Sequence, residues 1–175
     1  TYAVVAFRQA QGQYIPMAHH LHVEAQILRG VSLGIPVVVL IRNPVDAVRS
    51  LIIRHPTVDP DSEFQRYIDF YSAVERVVDK VVVADFATVT EDFGSVISRI
   101  NDKYGTTYKI FKSTPENIKL VYKEIEEINK EVDGGKESHV ARPSKERKQK
   151  EVSISISDNY KKAVSIYSGL IQRSL

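Results

Sequence analysis

The sequence predicts an α/β fold in which helices cover both faces of a parallel sheet. Two runs of β-branched and leucine residues, Val37 to Ile41 and Val81 to Val83, show no polar alternation and are therefore typical of strands buried on both faces. Amphipathic helical patterns lie before, between and after these runs, and strands that alternate with helices favour parallel pairing. A length of 175 residues with 43% hydrophobic content fits one ordinary core. We therefore expect a single domain over residues 1–175.

The helices are predicted from apolar residues that recur at helical spacing. Tyr2 to Gln11 favours a helix with Gly12 beyond its end, although residues 2–7 alone could form a strand. Further helical patterns cover Val23 to Leu33, a segment that begins at Pro44, Phe64 to Val78, Phe93 to Ile100, Pro115 to Val132 and Val164 to Ile171. Short extended segments are expected at residues 13–18 and 108–111.

The ends of these helices are predicted from capping residues. Asn43, Thr90 and Thr114 are expected to be N-caps, because their side-chain oxygens can accept from the first free amides of a helix. Pro44 suits the first turn after Asn43. Gly34 and Gly105 are expected at helix ends.

Composition excludes several classes of protein. The 24 basic and 22 acidic residues give a net charge of +2, too balanced for a general nucleic-acid binder, so an anion site must be local. The absence of cysteine excludes disulfides and thiolate chemistry and fits a reducing compartment. The longest apolar stretch, Ile35 to Ile41, is far shorter than the roughly 20 residues of a membrane span. Residues 1–7 lack an export signal, and we expect a cytoplasmic protein without a membrane span.

Chemistry is expected where the first predicted strand ends, because ligands of open parallel sheets bind outside the carboxyl ends of the strands. Arg42 follows that strand, and Ser50 lies about two turns into the next helix, on the same helical face as Asn43. A guanidinium, a hydroxyl and a helix N-terminus can therefore converge on a phosphate dianion. The alternative from the residues alone is that Arg42 pairs with Asp46 and that Ser50 is an ordinary surface residue.

The residues from Arg42 to Ser50 read Arg-Asn-Pro-x-Asp-x-x-x-Ser directly after a buried strand. This pattern resembles the 3′-phosphate-binding motif of sulfotransferases that use 3′-phosphoadenosine 5′-phosphosulfate (PAPS). The resemblance implies the P-loop NTPase-like sulfotransferase architecture, PAPS as cosubstrate and transfer of a sulfuryl group to a hydroxyl or amine acceptor. It also implies that Arg42 and Ser50 contact the 3′-phosphate. The acceptor is expected to be a small molecule or a carbohydrate.

A second resemblance lies in the segment Ala18-His19-His20-Leu21-His22. Sulfotransferases commonly place a Thr-His-Leu type segment at this point, and its histidine takes the proton from the acceptor. This implies His20 as the base, with His22 as the alternative, and an unperturbed histidine pKa of about 6.5 suits that role. No metal is expected, because His20 and His22 point to opposite sides of an extended segment and sulfuryl transfer needs no metal.

A third resemblance involves the basic loop of residues 136–150. Sulfotransferases fold a basic loop over the nucleotide, which implies that Arg142, Arg147 and Lys148 contact the 3′-phosphate here. The family's usual Arg-Lys-Gly triplet is absent from the loop. The alternatives are a solvated loop and a patch for any polyanion.

The family's Pro-Lys-Ser-Gly-Thr-Thr-like loop, which wraps the 5′-phosphosulfate, has no counterpart in the sequence. We expect it to lie before Thr1, so that the fold is N-terminally incomplete and lacks a central strand. Unpaired neighbouring edges would then favour a homo-oligomer. The alternative functions are a kinase-like nucleotide-dependent enzyme of the same architecture, which would need a Gly-rich Lys-Ser/Thr loop, and a non-catalytic domain that binds a polyanion or a protein.

Overall fold

The architecture is α/β, with a two-stranded parallel sheet between two groups of helices. The computed structural model describes residues 2–19, 23–133 and 152–173. Within these ranges β1 is Val38–Ile41 and β2 is Val82–Asp85, and their register pairs Val38 with Val82 and Ile41 with Asp85. Parallel pairing, which the alternation of strands and helices predicted, is confirmed.

The described ranges contain eight α-helices, and none of them is both long and apolar enough to span a bilayer. They are α1 (Tyr2–Gln11), α2 (Glu24–Ser32), α3 (Pro44–Arg54), α4 (Pro60–Glu75), α5 (Phe86–Glu91), α6 (Phe93–Tyr104), α7 (Pro115–Asp133) and α8 (Asp158–Gln172). A 3₁₀ turn at Val78–Lys80 leads into β2. The helix at residues 2–11 is confirmed, and the alternative strand at residues 2–7 is not formed.

Apolar residues on the two faces of β2 form two separate cores. On one face, Val82 and Ala84 pack with residues of α1, α5, α6 and α7, including Phe7 and Ile97. On the other face, Val83 packs with residues of α3, α4 and α8. Helices therefore cover both faces of β2, as the absence of polar alternation predicted.

β1 is covered on one face only. Val39 and Ile41 are buried in the core with α3, α4 and α8, whereas Val38 and Leu40 are 42% and 45% exposed. The prediction that this run is buried on both faces is therefore wrong. The reason is tertiary, because α1, α5, α6 and α7 bury Val82 and Ala84 of β2 without burying the side chains of β1 on the same face.

Capping residues set most helix ends as predicted. Asn43 accepts from the amides of Val45 and Asp46, at 3.0 and 3.4 Å. Gly105 adopts the left-handed conformation after α6, with φ of 63°, which glycine tolerates without strain. The hydroxyl of Thr114 accepts from the amide of Asn117 at 3.3 Å, at the start of α7.

The predicted N-cap at Thr90 is wrong. Thr90 lies inside α5, where its hydroxyl donates to the carbonyl of Phe86 at 3.1 Å, and Asp92 caps α6 by accepting from the amide of Ser95. A threonine hydroxyl can be satisfied within a helix by the carbonyl of the preceding turn, so it competes poorly with an aspartate two residues later. Asp85 caps α5 in the same way, because its side chain accepts from the amide of Ala87.

The segment at residues 108–111 is not part of the sheet, and a side chain binds its backbone. The side-chain amide of Gln11 donates to the carbonyl of Lys109 and accepts from its amide, both at 2.9 Å. Gln11 is buried, and these two bonds satisfy its amide group. Residues 13–19 and 106–114 contain no helix or strand.

Candidate anion site at the carboxyl end of the sheet

The two parallel strands bring two chain segments together at their carboxyl ends. Ile41 and Asp85 are the last pair in the register, so Arg42 and Phe86 follow as neighbours at the tip of the sheet. Arg42 and Ser50 are the predicted site residues that fall within the described ranges. Ligands of open α/β sheets bind at this end, and the candidate site is therefore built around Arg42.

Arg42 is held at both its backbone and its guanidinium group. The hydroxyl of Tyr67, on α4, donates to the Arg42 carbonyl at 3.0 Å. The guanidinium carbon lies 4.8 Å from the centroid of the Phe86 ring, within the range of a cation–π contact. Arg42 is partly buried, so a ligand can reach its side chain beside the Phe86 ring.

Asp85 connects three elements beside Arg42. One carboxylate oxygen accepts from the amide of Ala87 at 3.1 Å, and the other accepts from the hydroxyl of Tyr167, on α8, at 3.0 Å. Burial, together with the bond to Asp85 and the charge of Asp46, raises the pKa of Tyr167 to about 12. The Tyr167 hydroxyl therefore stays protonated near neutrality and can donate to Asp85. These bonds give Asp85 a structural role at the strand tip.

Asn43 binds the first amides of α3. Asn43 accepts from the amides of Val45 and Asp46 through its side chain, and from Ala47 through its carbonyl at 2.9 Å. Pro44 has no amide hydrogen. The sequence predicted both an Asn43 cap and an anion at the same amides, and the cap occupies them.

Ser50 lies on α3 seven residues after Asn43, about 10 Å along the helix axis. It is partly buried, and its carbonyl accepts from the Nε of Arg54 at 3.3 Å. Asp46 lies 3.9 Å from Arg49, a long contact between partly exposed side chains that contributes little to stability. Arg42 and Ser50 thus flank the first two turns of α3, and their convergence on one ligand stays a prediction.

Arg49 connects the site to the segment that follows the basic loop, a contact that the sequence did not predict. Its Nε donates to the carbonyl of Val152 at 3.1 Å, and Ile154 packs against the core beneath α3. Arg49 directly precedes Ser50, so the chain beyond residue 150 returns to the helix that carries the predicted motif. The sequence contains no local signal for this contact, because Arg49 and Val152 are 103 residues apart.

The other predicted site residues lie outside the described residues. These are His20, His22, Arg142, Arg147 and Lys148. Within residues 2–19, 23–133 and 152–173, no three histidine, aspartate or glutamate side chains group as metal ligands would.

Comparisons with protein-family models, with curated proteins and with solved structures found no match for this chain. The geometry at the carboxyl end of the sheet is thus the basis for a functional proposal, together with the sequence pattern from Arg42 to Ser50.

Proposed function

We propose that the chain is a sulfotransferase-type domain that binds PAPS and transfers its sulfuryl group to a hydroxyl or amine acceptor. Arg42 and Ser50 bind the 3′-phosphate of the nucleotide in this proposal. The observation that carries it is the position of Arg42, which directly follows a strand of a parallel sheet and directly precedes the Asn43 cap of α3. Strand, arginine and capped helix are the context in which the sulfotransferase motif occurs.

Two further contacts support a 3′-phosphate site here. The Arg42 guanidinium lies against the Phe86 ring, and a planar guanidinium is well suited to bidentate binding of a phosphate. Arg49 binds the carbonyl of Val152, which places a residue four positions after Lys148 in the sequence beside α3. Arg142, Arg147 and Lys148 are proposed to complete the charge around the 3′-phosphate.

The proposed reaction needs a base and an in-line approach. His20, or His22 in its place, accepts the proton of the acceptor group, whose oxygen or nitrogen then forms a bond to sulfur. The bond between sulfur and the 5′-phosphate oxygen breaks, and 3′-phosphoadenosine 5′-phosphate leaves. No metal is part of this proposal, and the acceptor is a small molecule or a carbohydrate.

The test is a calorimetric titration of the chain with 3′-phosphoadenosine 5′-phosphate and, as a control, with adenosine 5′-phosphate. We expect binding that requires the 3′-phosphate, about 10- to 100-fold weaker in Arg42→Ala and less strongly weakened in Ser50→Ala. Arg76→Ala is the matched control. α4 runs antiparallel to β1, so Arg76, at its end, lies away from the strand tip and should have no effect.

Other outcomes would favour the alternatives. Equal affinity for the two nucleotides, or full affinity in Arg42→Ala, would contradict the 3′-phosphate site. The kinase-like nucleotide-dependent enzyme would then be the favoured alternative. Binding of unrelated polyanions with a steep dependence on salt, unchanged by Arg42→Ala, would favour the non-catalytic polyanion-binding domain.

A further inference from the structure

The contact between Arg42 and Phe86 is not predicted by any motif and follows from the register of the sheet. Ile41 pairs with Asp85, and the next residues on the two strands are Arg42 and Phe86. The Arg42 guanidinium carbon lies 4.8 Å from the Phe86 ring centroid, within the limit of about 6 Å for a cation–π contact. The ring therefore faces the one charged group that the proposed nucleotide site places at the strand tip.

Both partners of this contact have fixed backbones. Phe86 is the first residue of α5, and Asp85 caps that helix while it accepts from the hydroxyl of Tyr167 on α8. Arg42 has its carbonyl bound by the hydroxyl of Tyr67 on α4 at 3.0 Å. Three helices thus hold the backbones of the two residues, at positions from which the ring and the guanidinium are in contact.

An arginine that is held in advance binds an anion better than a mobile one. The five N–H donors of a guanidinium lie in its plane, and a ring in contact with the group restricts the directions in which these donors can point. An unrestrained arginine side chain populates many rotamers, and part of this conformational entropy is lost when it binds a ligand. The ring reduces that loss because it selects the bound arrangement in the free protein.

We propose that Phe86 is a positioning residue that orients the Arg42 guanidinium for a terminal phosphate group, and so contributes to the preference for a 3′-phosphorylated nucleotide. This inference rests on the proposed function, because it assigns the phosphate to the nucleotide's 3′ position. Phe86 itself does not contact the phosphate. Asp85 and Tyr167 act one step further away, by fixing the start of α5 that carries the ring.

The first test compares Phe86→Leu with Phe86→Tyr in the titration described above. A cation–π contact of this kind is worth about 0.5–1 kcal/mol, so Phe86→Leu should weaken binding of 3′-phosphoadenosine 5′-phosphate about 2- to 5-fold. The affinity for adenosine 5′-phosphate should not change, and Phe86→Tyr, which keeps an aromatic ring, should bind like the wild type. Equal weakening for both nucleotides would show a structural effect and overturn the proposal.

A double-mutant cycle tests whether Phe86 acts through Arg42. In the Arg42→Ala background, Phe86→Leu should cause no further loss of affinity, because the group that the ring positions is gone. Additive losses would mean that Phe86 acts on the nucleotide by another route, and the inference would be wrong.

A measurement without ligand separates this inference from the proposed function. In nuclear magnetic resonance spectra, the Arg42 Nε–Hε group of the free protein should be ordered and shifted by the Phe86 ring, and Phe86→Leu should abolish the shift and lower the order parameter. An Arg42 side chain that is equally mobile in both proteins would overturn the positioning role alone. An ordered Arg42 in a protein without preference for the 3′-phosphate would overturn the proposed function, and the assignment of the phosphate with it.

Discussion

The hydroxyl of Tyr71 donates to the carbonyl of Leu40 at 2.8 Å, on the edge of β1 that faces away from β2. The amide of Val82 donates to the carbonyl of Val37, so in a parallel ladder the carbonyls of Leu40 and Arg42 point outward. Tyr67 donates to the Arg42 carbonyl. Four residues of a helix advance about 6 Å and two residues of a strand about 6.6 Å, so two tyrosines one turn apart match two alternate carbonyls. α4 thus covers this edge of the sheet.

Removal of the Tyr71 hydroxyl should destabilise the fold. Tyr71→Phe removes the hydrogen bond to the Leu40 carbonyl at a partly exposed position, so water can replace part of the lost interaction. We expect a loss of about 0.5–1.5 kcal/mol in the free energy of unfolding, measured by urea denaturation. Tyr14→Phe is the control, because Tyr14 is 78% exposed and should be neutral. Equal stability of the two variants would mean that the bond to Leu40 contributes nothing.

Stability should fall at alkaline pH as buried tyrosines lose their protons. Burial raises the pKa of Tyr67 and Tyr71 well above the ordinary tyrosine value, and the pKa of Tyr167 is raised to about 12, first by burial and then by Asp85. Unfolded tyrosines titrate near pH 10, so the folded state holds these protons more tightly. The contribution of all three tyrosines is complete below about pH 10. The contribution of Tyr167 is lost as the pH rises from about 10 to about 12, and those of Tyr67 and Tyr71 continue to fall at higher pH.

Urea denaturation at a series of pH values from 8 to 12 checks this prediction. The free energy of unfolding should decline above about pH 10, and Tyr167→Phe should decline less steeply because one of the titrating groups is gone. A parallel decline in the two proteins would show that Tyr167 does not contribute.

Arg99 binds the outer edge of β2, opposite the edge that α4 covers, and should also contribute to stability. Its Nη2 donates to the carbonyl of Val83 at 2.9 Å, and Val83 points its carbonyl away from β1. Arg99→Met keeps most of the apolar stem and removes the donor, so we expect a loss of about 1–3 kcal/mol in urea denaturation. Arg76→Met, at an exposed position after α4, is the control.

The Arg99→Met variant also tests self-association. Side-chain donors occupy outward carbonyls on both edges, whereas the sequence predicted open edges that favour a homo-oligomer. If an uncovered edge recruits a second chain, light scattering should show a larger particle for Arg99→Met than for the wild type at the same concentration. An unchanged mass would mean that edge coverage does not control association.

Two glycines in helices should respond in opposite directions to alanine. A Cβ on Gly94, the second residue of α6, would lie 2.5 Å from the carbonyl oxygen of Phe111 and 3.0 Å from a methyl group of Ile110. Because one of the clashing atoms is backbone, Gly94→Ala should lower the free energy of unfolding by about 1–3 kcal/mol. In contrast, a Cβ on Gly169, in α8, would meet only Glu75, at 3.9 Å.

Gly169→Ala is therefore the matched control, and it should raise the free energy of unfolding by about 0.5–1 kcal/mol, since alanine is the better helix former. Thermal denaturation of both variants shows directly whether each substitution raises or lowers the stability. Stabilisation by Gly94→Ala would show that the 110–111 segment can move away from α6 without loss.

Much of the local structure could be predicted from the sequence. The positions of β1 and β2, the Asn43 cap and the glycine after α6 follow from patterns of a few residues, because helix ends and buried strands depend on neighbouring side chains and backbone conformation. The wrong prediction at Thr90 is also local, since Thr90 and Asp92 are both residues that can cap a helix, and Asp92 is the one that does.

The sequence by itself thus determined the α/β alternation and the position of Arg42 at a strand tip, because both depend on short-range patterns. Only the tertiary structure decided which groups surround Arg42. Phe86 contacts the Arg42 guanidinium, Tyr67 binds the Arg42 carbonyl, and Tyr167 binds the neighbouring Asp85. All three come from parts of the chain that are distant from Arg42 in sequence. Pairing register and helix packing bring them there, and these depend on the whole set of buried contacts, which no local pattern encodes.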